Sequence, residues 1–252
     1  MWRTHGYRIS KTKMISLSKE WALLSREMYG QEFIDELANF LQKQNVQRIL
    51  ECGCGDGYVL HGLAQKGFSG IGIDASPEMI ALALENHQNQ NISYRQTSWL
   101  DLGRLEDRFD AVICRGNSLP SVANWGKEHI NPKDSNKKIE ESIGIFFKKL
   151  KQGGLLYVDT CSQSEVNKNG GDIEIMTPNI QLKGRIEYDW QNMERRVFGN
   201  GKVFGEDFSG GSVSYLLTPD RLEEIVRNYR PSVVWRLRLV NEINYDIVCA
   251  KK

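Results

Sequence analysis

The segment I-L-E-C-G-C-G-D-G-Y-V-L, residues 49–60, constrains the fold more than any other stretch of the chain. A strand-like apolar run enters glycines at alternate positions, Gly53, Gly55 and Gly57, and a helix-like run leaves them. A strand that turns so tightly into a helix needs backbone conformations that glycine adopts without steric cost, and such a turn lets a ligand touch the main chain. Taken alone, the pattern is also that of a tight turn that binds nothing. The fold class follows from its neighbours.

Strand-like runs at residues 48–51, 69–73, 92–95, 109–114 and 155–159 alternate with helical periodicity at 58–65, 77–87 and 136–150, after two amphipathic stretches at 21–28 and 33–41. This order predicts an α/β domain with a Rossmann-like, mostly parallel sheet and helices packed ahead of it. Ser76-Pro77 and Thr218-Pro219 are each an N-cap followed by proline at the first helical position, and Gly153-Gly154 is expected to stop a helix near Lys151. Between Ile173 and Tyr215, period-two segments such as I-Q-L-K-G-R-I-E-Y-D-W alternate with Gly- and Asn-rich turns. They predict a small antiparallel β insertion lying over the sheet edge as a lid. The chain should end with a helix over 219–228 and strands over 233–240 and 245–250, joined by N-E-I-N as an antiparallel hairpin. The expected division is residues 1–46 as arm and closing helices, 47–160 with 214–252 as the ligand-binding domain, and 161–213 as the insertion.

At 252 residues the chain can bury one adequate core without disulfides or metal. The five cysteines, at 52, 54, 114, 161 and 249, lack the paired spacing of structural zinc sites, so reduced, buried thiols and no metal are expected. With 33 Lys+Arg against 32 Asp+Glu, the formal charge of +1 gives no field for duplex nucleic acid or an anionic membrane surface. No secretory signal and no run of about 20 apolar residues is present, so a cytoplasmic location is expected. Residues 2–13 carry four basic side chains and no acidic one, and read as a frayed arm, with Met14 as a conceivable alternative start.

The second acidic position narrows the ligand. Asp74 in G-I-G-I-D-A-S-P-E-M ends the second strand, 21 residues beyond Gly53 (53 to 74). In a doubly wound sheet this position reaches the crevice at the carboxyl ends of the strands, where a carboxylate accepts both hydroxyls of a ribose. A dinucleotide fold would want its third glycine at position 58, so that a pyrophosphate meets the helix N-terminus, yet that residue is Tyr58. Glu51 and Asp56 add negative charge, unfavourable for a diphosphate and acceptable for an ammonium and a sulfonium. The electrostatics therefore favour S-adenosylmethionine over NAD.

At this point the residues resemble a family, the class I S-adenosylmethionine-dependent methyltransferases. E-C-G-C-G-D-G, G-I-D-A-S-P-E-M, F-D-A-V-I-C and L-K-Q-G-G-L-L-Y-V-D are similar, in order, to its first and second motifs, its fourth strand and the approach to its fifth. S-W-L-D-L followed by R-F-D-A-V-I-C-R-G-N-S-L resembles the glycine N-methyltransferase and glycine/sarcosine N-methyltransferase subfamily, which also carries a small antiparallel sheet after the fifth strand. The resemblance spans residues 47–159 and is good in the cofactor half and poor in the β insertion.

It implies a cofactor-binding set. Main-chain carbonyls near Cys52–Gly53 and Cys114–Arg115 would hold the methionine ammonium, with Glu51 behind, and Gly55 and Gly57 complete the turn. Asp74, with Ala75 beside it, would take the ribose, Met79 would cover an adenine face, and Ser98 with Trp99 would meet the adenine edge. Ser98 stands where the family has Asp or Asn. Tyr29 falls where the subfamily grips the methionine carboxylate with an arginine, and Arg26 is the nearest basic side chain. Asn117 would orient the nucleophile and Tyr215 would add a polar contact from the lid. For both catalytic candidates a plainer role is open, a turn for Asn117 and core packing for Tyr215. Trp125 and His129 lie on a flap-like segment as a possible cover and proton acceptor, and His61 reads as a packing histidine.

The largest departure is at Asp159-Thr160-Cys161, where the glycine-methylating enzymes have an arginine that pairs with the acceptor carboxylate. Cys161 supplies no such clamp, which implies an altered acceptor. Arg115, Arg185 and Arg195 are the candidates to replace it. The reading is methyl transfer by in-line displacement to a small-molecule acceptor, at an amine nitrogen, leaving S-adenosylhomocysteine. Such transfer needs a lone pair held about 3 Å from the methyl and water excluded, with no obligatory triad. A macromolecular acceptor, RNA or protein, and a noncatalytic adenosine-binding subunit remain as alternatives.

Overall fold

A computed structural model describes residues 17–123, 130–242 and 244–252. Residues 2–13, Met14, Trp125 and His129 lie outside them. Helices α1 (Leu17–Met28) and α2 (Gln31–Lys43) precede β1 (Arg48–Cys52), α3 (Tyr58–Gln65), β2 (Ser69–Asp74), α4 (Pro77–Asn86), β3 (Ile92–Gln96), β4 (Phe109–Cys114), α5 (Pro132–Lys149) and β5 (Leu150–Cys161). A short α6 (Gln163–Asn167) then leads into β6 (Gly170–Met176), β7 (Ile180–Asp189), β8 (Glu194–Val203) and β9 (Glu206–Tyr215). The chain closes with α7 (Pro219–Arg227), β10 (Val233–Leu237) and β11 (Tyr245–Lys251).

Seven strands form one sheet in the order β10-β11-β5-β4-β1-β2-β3. β3, β2, β1, β4 and β5 run parallel, while β11 is antiparallel to both β5 and β10. This is the expected α/β sheet with its closing hairpin. Side-chain alternation sorts the core into two layers. Ile49, Ala111, Ile113, Leu155, Tyr157 and Ile247 face Phe33, Ile34, Leu37 and Leu41 of α2 and Leu60 and Leu63 of α3. Leu50, Val112, Leu156 and Val248 face Ile143 and Phe146 of α5 and Leu222, Ile225 and Val226 of α7.

The insertion is a separate antiparallel sheet, β6-β7-β8-β9. Its apolar residues Ile180, Leu182 and Val203 pack with Leu24 of α1, and the Glu27 carboxylate accepts from Asn179 Nδ2 at 2.8 Å. On its other contact, Ile186 and Tyr188 meet Cys161 and Leu216. Helix α1 therefore touches the insertion directly.

The larger differences from the sequence reading each have a specific contact behind them. α5 starts at Pro132, inside the segment read as a flap, because Asn131 Oδ1 caps the amides of Lys133 and Asp134. It ends at Lys149, since Leu150 is buried and pairs with Phe109 as strand. α6 was not foreseen, although Ser162 and Glu165 have the spacing of a cap, and the Ser162 hydroxyl accepts the Glu165 amide at 3.1 Å. β10 stops at Leu237 rather than running to 240. Leu239 turns into the core, and the Glu36 carboxylate of α2 accepts the amides of Val240 (2.7 Å) and Asn241 (2.9 Å), drawing the hairpin loop off the strand register. The caps at Ser76 and Thr218 form as read, each hydroxyl accepting an amide three residues on.

All five cysteines are buried and unpaired, and burial pushes each thiol up. Among the described residues no helix is long and apolar enough to cross a membrane, and no cluster of His, Cys, Asp and Glu could hold a metal ion. Phe146 is fully buried between the sheet and Trp99, whose ring meets it edge-on. Phe146→Ala is expected to cost about 3–5 kcal/mol through the cavity left behind, read from urea unfolding curves with an unchanged slope.

Candidate functional site

The glycine turn joins β1 to α3 with Gly53, Gly55 and Gly57 all at positive φ (73°, 55° and 79°). Gly57 has a second requirement: a Cβ there would lie 2.6 Å from the Tyr94 ring, whose hydroxyl donates to Gly57 O and His87 O. The turn's amides are spent within the protein. Gly53 and Cys54 donate to Ile73 O, Gly57 to Cys54 O, and Gly55 to Asp74 Oδ2 at 2.9 Å. At the start of α3 the Tyr58 amide donates to Asp56 Oδ1, and the buried Asp56 carboxylate also takes Arg26 of α1 at 2.7 Å. The start of α3 places a buried carboxylate beside its amides, an arrangement that disfavours a phosphate there.

Asp74 closes the other side of the turn. Its second oxygen accepts the Ser76 amide at 2.9 Å, and the group is half-buried beside the exposed Ala75. Burial pushes its carboxyl above the ordinary range, against the pull of the Ser76, Gly55 and Ala75 amides. Met79 is buried in the first turn of α4. Ser98 follows β3, and its hydroxyl accepts the Leu100 amide, capping a short 3-10 helix, Trp99–Arg104. Trp99 donates from Nε1 to Ser142 Oγ of α5 at 2.9 Å, and its ring edge approaches Gly53 so closely that a Cβ there would sit 3.3 Å away. Glu51, Cys52, the three glycines, Asp74, Ala75, Met79, Ser98, Trp99, Cys114 and Arg115 thus gather at or just beyond the carboxyl ends of the first four strands.

At the end of β4 the Arg115 carbonyl accepts from Ser118 Oγ at 2.8 Å, and the Arg115 side chain turns toward Glu51. Its Nε donates to Glu51 Oε1 at 3.1 Å, and its guanidinium lies 4.3 Å over the Tyr29 ring and 5.4 Å from Phe33. Tyr29, read as standing in for an arginine, is therefore stacked on one, while Arg26 is committed to Asp56. Burial pushes the Glu51 carboxyl up to about 7 even though Arg115 pulls it down.

Beyond Arg115, the amides of Gly116 and Asn117 donate to the two oxygens of Asp159, each at 2.7 Å. Burial lifts the Asp159 carboxyl to about 6, with these bonds opposing it. Asn117 sits at φ 54°, buried, with its Oδ1 3.3 Å from the Thr160 hydroxyl, so it forms the turn as well as facing the site. Tyr215 is buried in the layer containing α5 and α7, near Arg221 and Glu140, and that layer also holds Cys114, Leu119 and Trp99. Of the arginines considered for an acceptor carboxylate, Arg185 is on the exposed insertion with Asp172 and Glu187, and Arg195 is buried and held bidentately by Glu165 at 2.7 and 3.1 Å. Cys161 Sγ lies against Leu217 O. His61 pairs with Gln65 on α3.

These features meet in one family. The profile described as Methyltransferase domain matches residues 43–194, more than half of the chain. The chain belongs to that methyltransferase family. Among curated proteins it is 32% identical over 146 residues to the glycine/sarcosine N-methyltransferase of Halorhodospira halochloris, covering 57% of this chain and 49% of that one. The glycine N-methyltransferase of Mus musculus is 29% identical over 133 residues, 49% and 43% of the two chains. The matched region spans about half the length of these relatives. Among solved structures, a SAM-bound amino pentose methyltransferase from Micromonospora echinaspora superposes with a TM-score of 0.70 at 14% identity, covering 100% and 99% of the chains. An S-adenosylmethionine-dependent methyltransferase from Clostridium acetobutylicum gives 0.69 at 12%, covering 94% and 99%. At these identities the structures establish the methyltransferase fold.

A raised carboxyl links stability to pH. Between the ordinary 4.5 and about 7 the folded state holds a proton on Glu51 that the unfolded chain releases, so this group's stabilisation is complete below 4.5 and lost as the pH rises through 7. Glu51→Gln is expected to remove that contribution. Urea midpoints measured from pH 4.5 to 7.5 should fall less steeply in the variant than in the parent, and parallel curves would contradict the assignment.

Proposed function

We propose that this chain is an S-adenosylmethionine-dependent methyltransferase that transfers the methyl group to a small-molecule acceptor at an amine nitrogen. The observation that carries the reading is the glycine turn. Its amides are consumed by Ile73, Asp74 and Cys54, and the groups around it are the carboxylates of Glu51, Asp56 and Asp74. Such a turn repels a pyrophosphate and suits a cationic nucleoside.

The residues fit that nucleoside. Asp74, fixed by two amides at the end of β2, would accept the ribose hydroxyls, and Met79 and Trp99 flank the same end of the crevice. Glu51, with its buried Oε2 unpartnered, would face the ammonium of the methionine end. When bound, the nucleoside supplies a methyl group made electrophilic by its sulfonium. The chain's own task is orientation and exclusion of water. Asp159 holds the Gly116-Asn117 turn rigid, and α1 with the insertion encloses the crevice.

A nitrogen acceptor is supported by the relatives, which are named for glycine and sarcosine N-methylation, and by fold neighbours named as sugar N-methyltransferases. A small acceptor is supported by the balanced charge. Asn117 remains the residue assigned to orient the nucleophile. Tyr215, at the end of β9 and in the same buried layer as Trp99 and Leu119, would add a second polar contact.

Calorimetry tests the cofactor. S-adenosylmethionine and S-adenosylhomocysteine should bind saturably and NAD should not; saturable NAD with no response to either sulfur nucleoside would reject the reading. Asp74→Ala is expected to weaken S-adenosylhomocysteine by about 1–3 kcal/mol through lost buried hydrogen bonds. With methyl-labelled cofactor, label should appear in small amines rather than in RNA or protein, and the reverse pattern would reject a small acceptor.

A further inference from the structure

The half of the site beyond β4 contains a group of buried polar atoms that the cofactor residues do not use. Glu242, on the β10–β11 connection, is 2% exposed; its Oε1 takes the Asn244 amide at 3.4 Å, the Tyr29 hydroxyl lies close to the carboxyl group, and Oε2 has no partner of good geometry among the described residues. The hydroxyls of Tyr29 (4% exposed) and Tyr157 (fully buried) and Nη1 of Arg115 are unpartnered in the same way. These groups face one another across four parts of the chain. Glu242 feels Asp159, Arg115 and Tyr29, while Tyr157 feels Asp159, Glu242 and Arg115. Tyr245, at the start of β11, completes the wall. A buried polar atom without a partner is costly, and a cluster of them converging from separate elements is the mark of a site that receives a polar ligand.

The position of this cluster, at the end of the sheet away from the ribose-binding side, suits the acceptor. In the strand order β11-β5-β4-β1-β2, Glu242 precedes β11 and Asp159 and Tyr157 lie on β5. At about 4.8 Å per strand, β11 is about 14 Å from β1 and about 19 Å from β2, which carry the glycine turn and Asp74. Glu36 fixes the loop that carries Glu242 through the amides of Val240 and Asn241. Charge then sets the class of ligand. Three carboxylates, Glu51, Asp159 and Glu242, stand against one guanidinium, Arg115, which is already paired with Glu51. The nearby Arg195 and Arg238 are taken by Glu165 and Asp246, and among the described residues Nη1 of Arg115 is the open donor of its guanidinium. With three carboxyl groups to one guanidinium, a carboxylate on the acceptor would add to the excess of acidic groups.

We propose that Glu242 binds the ammonium group of the acceptor, and that the acceptor is therefore a cationic amine with no carboxylate beside its nitrogen. This rests on the methyltransferase reading and specifies its substrate class. The Glu242 carboxylate also has a chemical use. One N–H proton of the ammonium passes to Oε2, giving a carboxylic acid and a neutral amine whose lone pair stays on nitrogen, the form that attacks. Tyr29, Tyr157 and Tyr245 line the chamber as neutral hydroxyls, since burial pushes all three up. Burial, then the like charge of Asp159, push the Glu242 carboxyl up to about 8, with Arg115 opposing, so its ammonium affinity should grow as the pH rises through that value.

The test is calorimetric titration of n-propylamine, with glycine and propionate as comparisons, into protein saturated with S-adenosylhomocysteine. Propylamine should bind at least tenfold more tightly than either carboxylate, and more tightly at pH 9 than at pH 7. Glu242→Gln should weaken it at least tenfold and remove the pH dependence, with the S-adenosylhomocysteine Kd unchanged within twofold. Tyr157→Phe should weaken it severalfold with the same cofactor affinity, which keeps the test open if the Glu242 variant fails to fold. Glycine or propionate binding as tightly as propylamine, no measurable propylamine binding, or a Glu242→Gln variant that loses cofactor and amine affinity together would each overturn the proposal. Failure of the parent protein to bind S-adenosylhomocysteine would instead sink the methyltransferase reading on which it rests.

Discussion

Two carboxylates at strand ends hold the site together. Asp74, finishing β2, accepts amides from the turn after β1 and from its own following turn; Asp159, near the end of β5, accepts two consecutive amides from the turn after β4. Each ties a loop to a neighbouring strand, so the crevice mouth is rigid although it is built of loops. Each also puts a buried negative charge where the loop's amides would otherwise bind an anion. Rigidity and the preference for cationic ligands therefore arise from the same hydrogen bonds.

The sequence made the strand–helix alternation, the two proline-adjacent caps and the seven-stranded sheet legible because these depend on local periodicity and short spacing. Boundaries set by distant partners were not legible. The end of β10 depends on Glu36, some two hundred residues earlier, and the early start of β5 depends on Leu150 finding Phe109. Propensity carries no information about either pairing.

The candidate site divides in the same way. Glu51, the three glycines and Asp74 were found because a turn and the strand after it leave a fixed interval. Arg26 with Asp56, Asp159 with Asn117, and Arg195 with Glu165 join residues 30, 42 and 30 apart, and nothing in their local sequence announces the partnership. Arg115 was named both for its main chain and for its guanidinium, but its inward course is set by Glu51 and the faces of Tyr29 and Phe33, which local sequence does not reveal. Tyr215 ends β9 in the buried layer that also holds Trp99 and Cys114. Alternation along β9 gives its facing, and facing alone does not say which wall it meets.

Helix α1 grips the glycine turn through Arg26 and seats Leu24 among Ile180, Leu182 and Val203 of the insertion. Any movement that uncovers the turn must also pull Leu24 from its apolar seat, so the free energies of the two openings are linked. Whatever settles beneath α1 tightens the insertion, and whatever loosens the insertion eases departure from beneath the helix. One helix thus couples the glycine turn to the insertion.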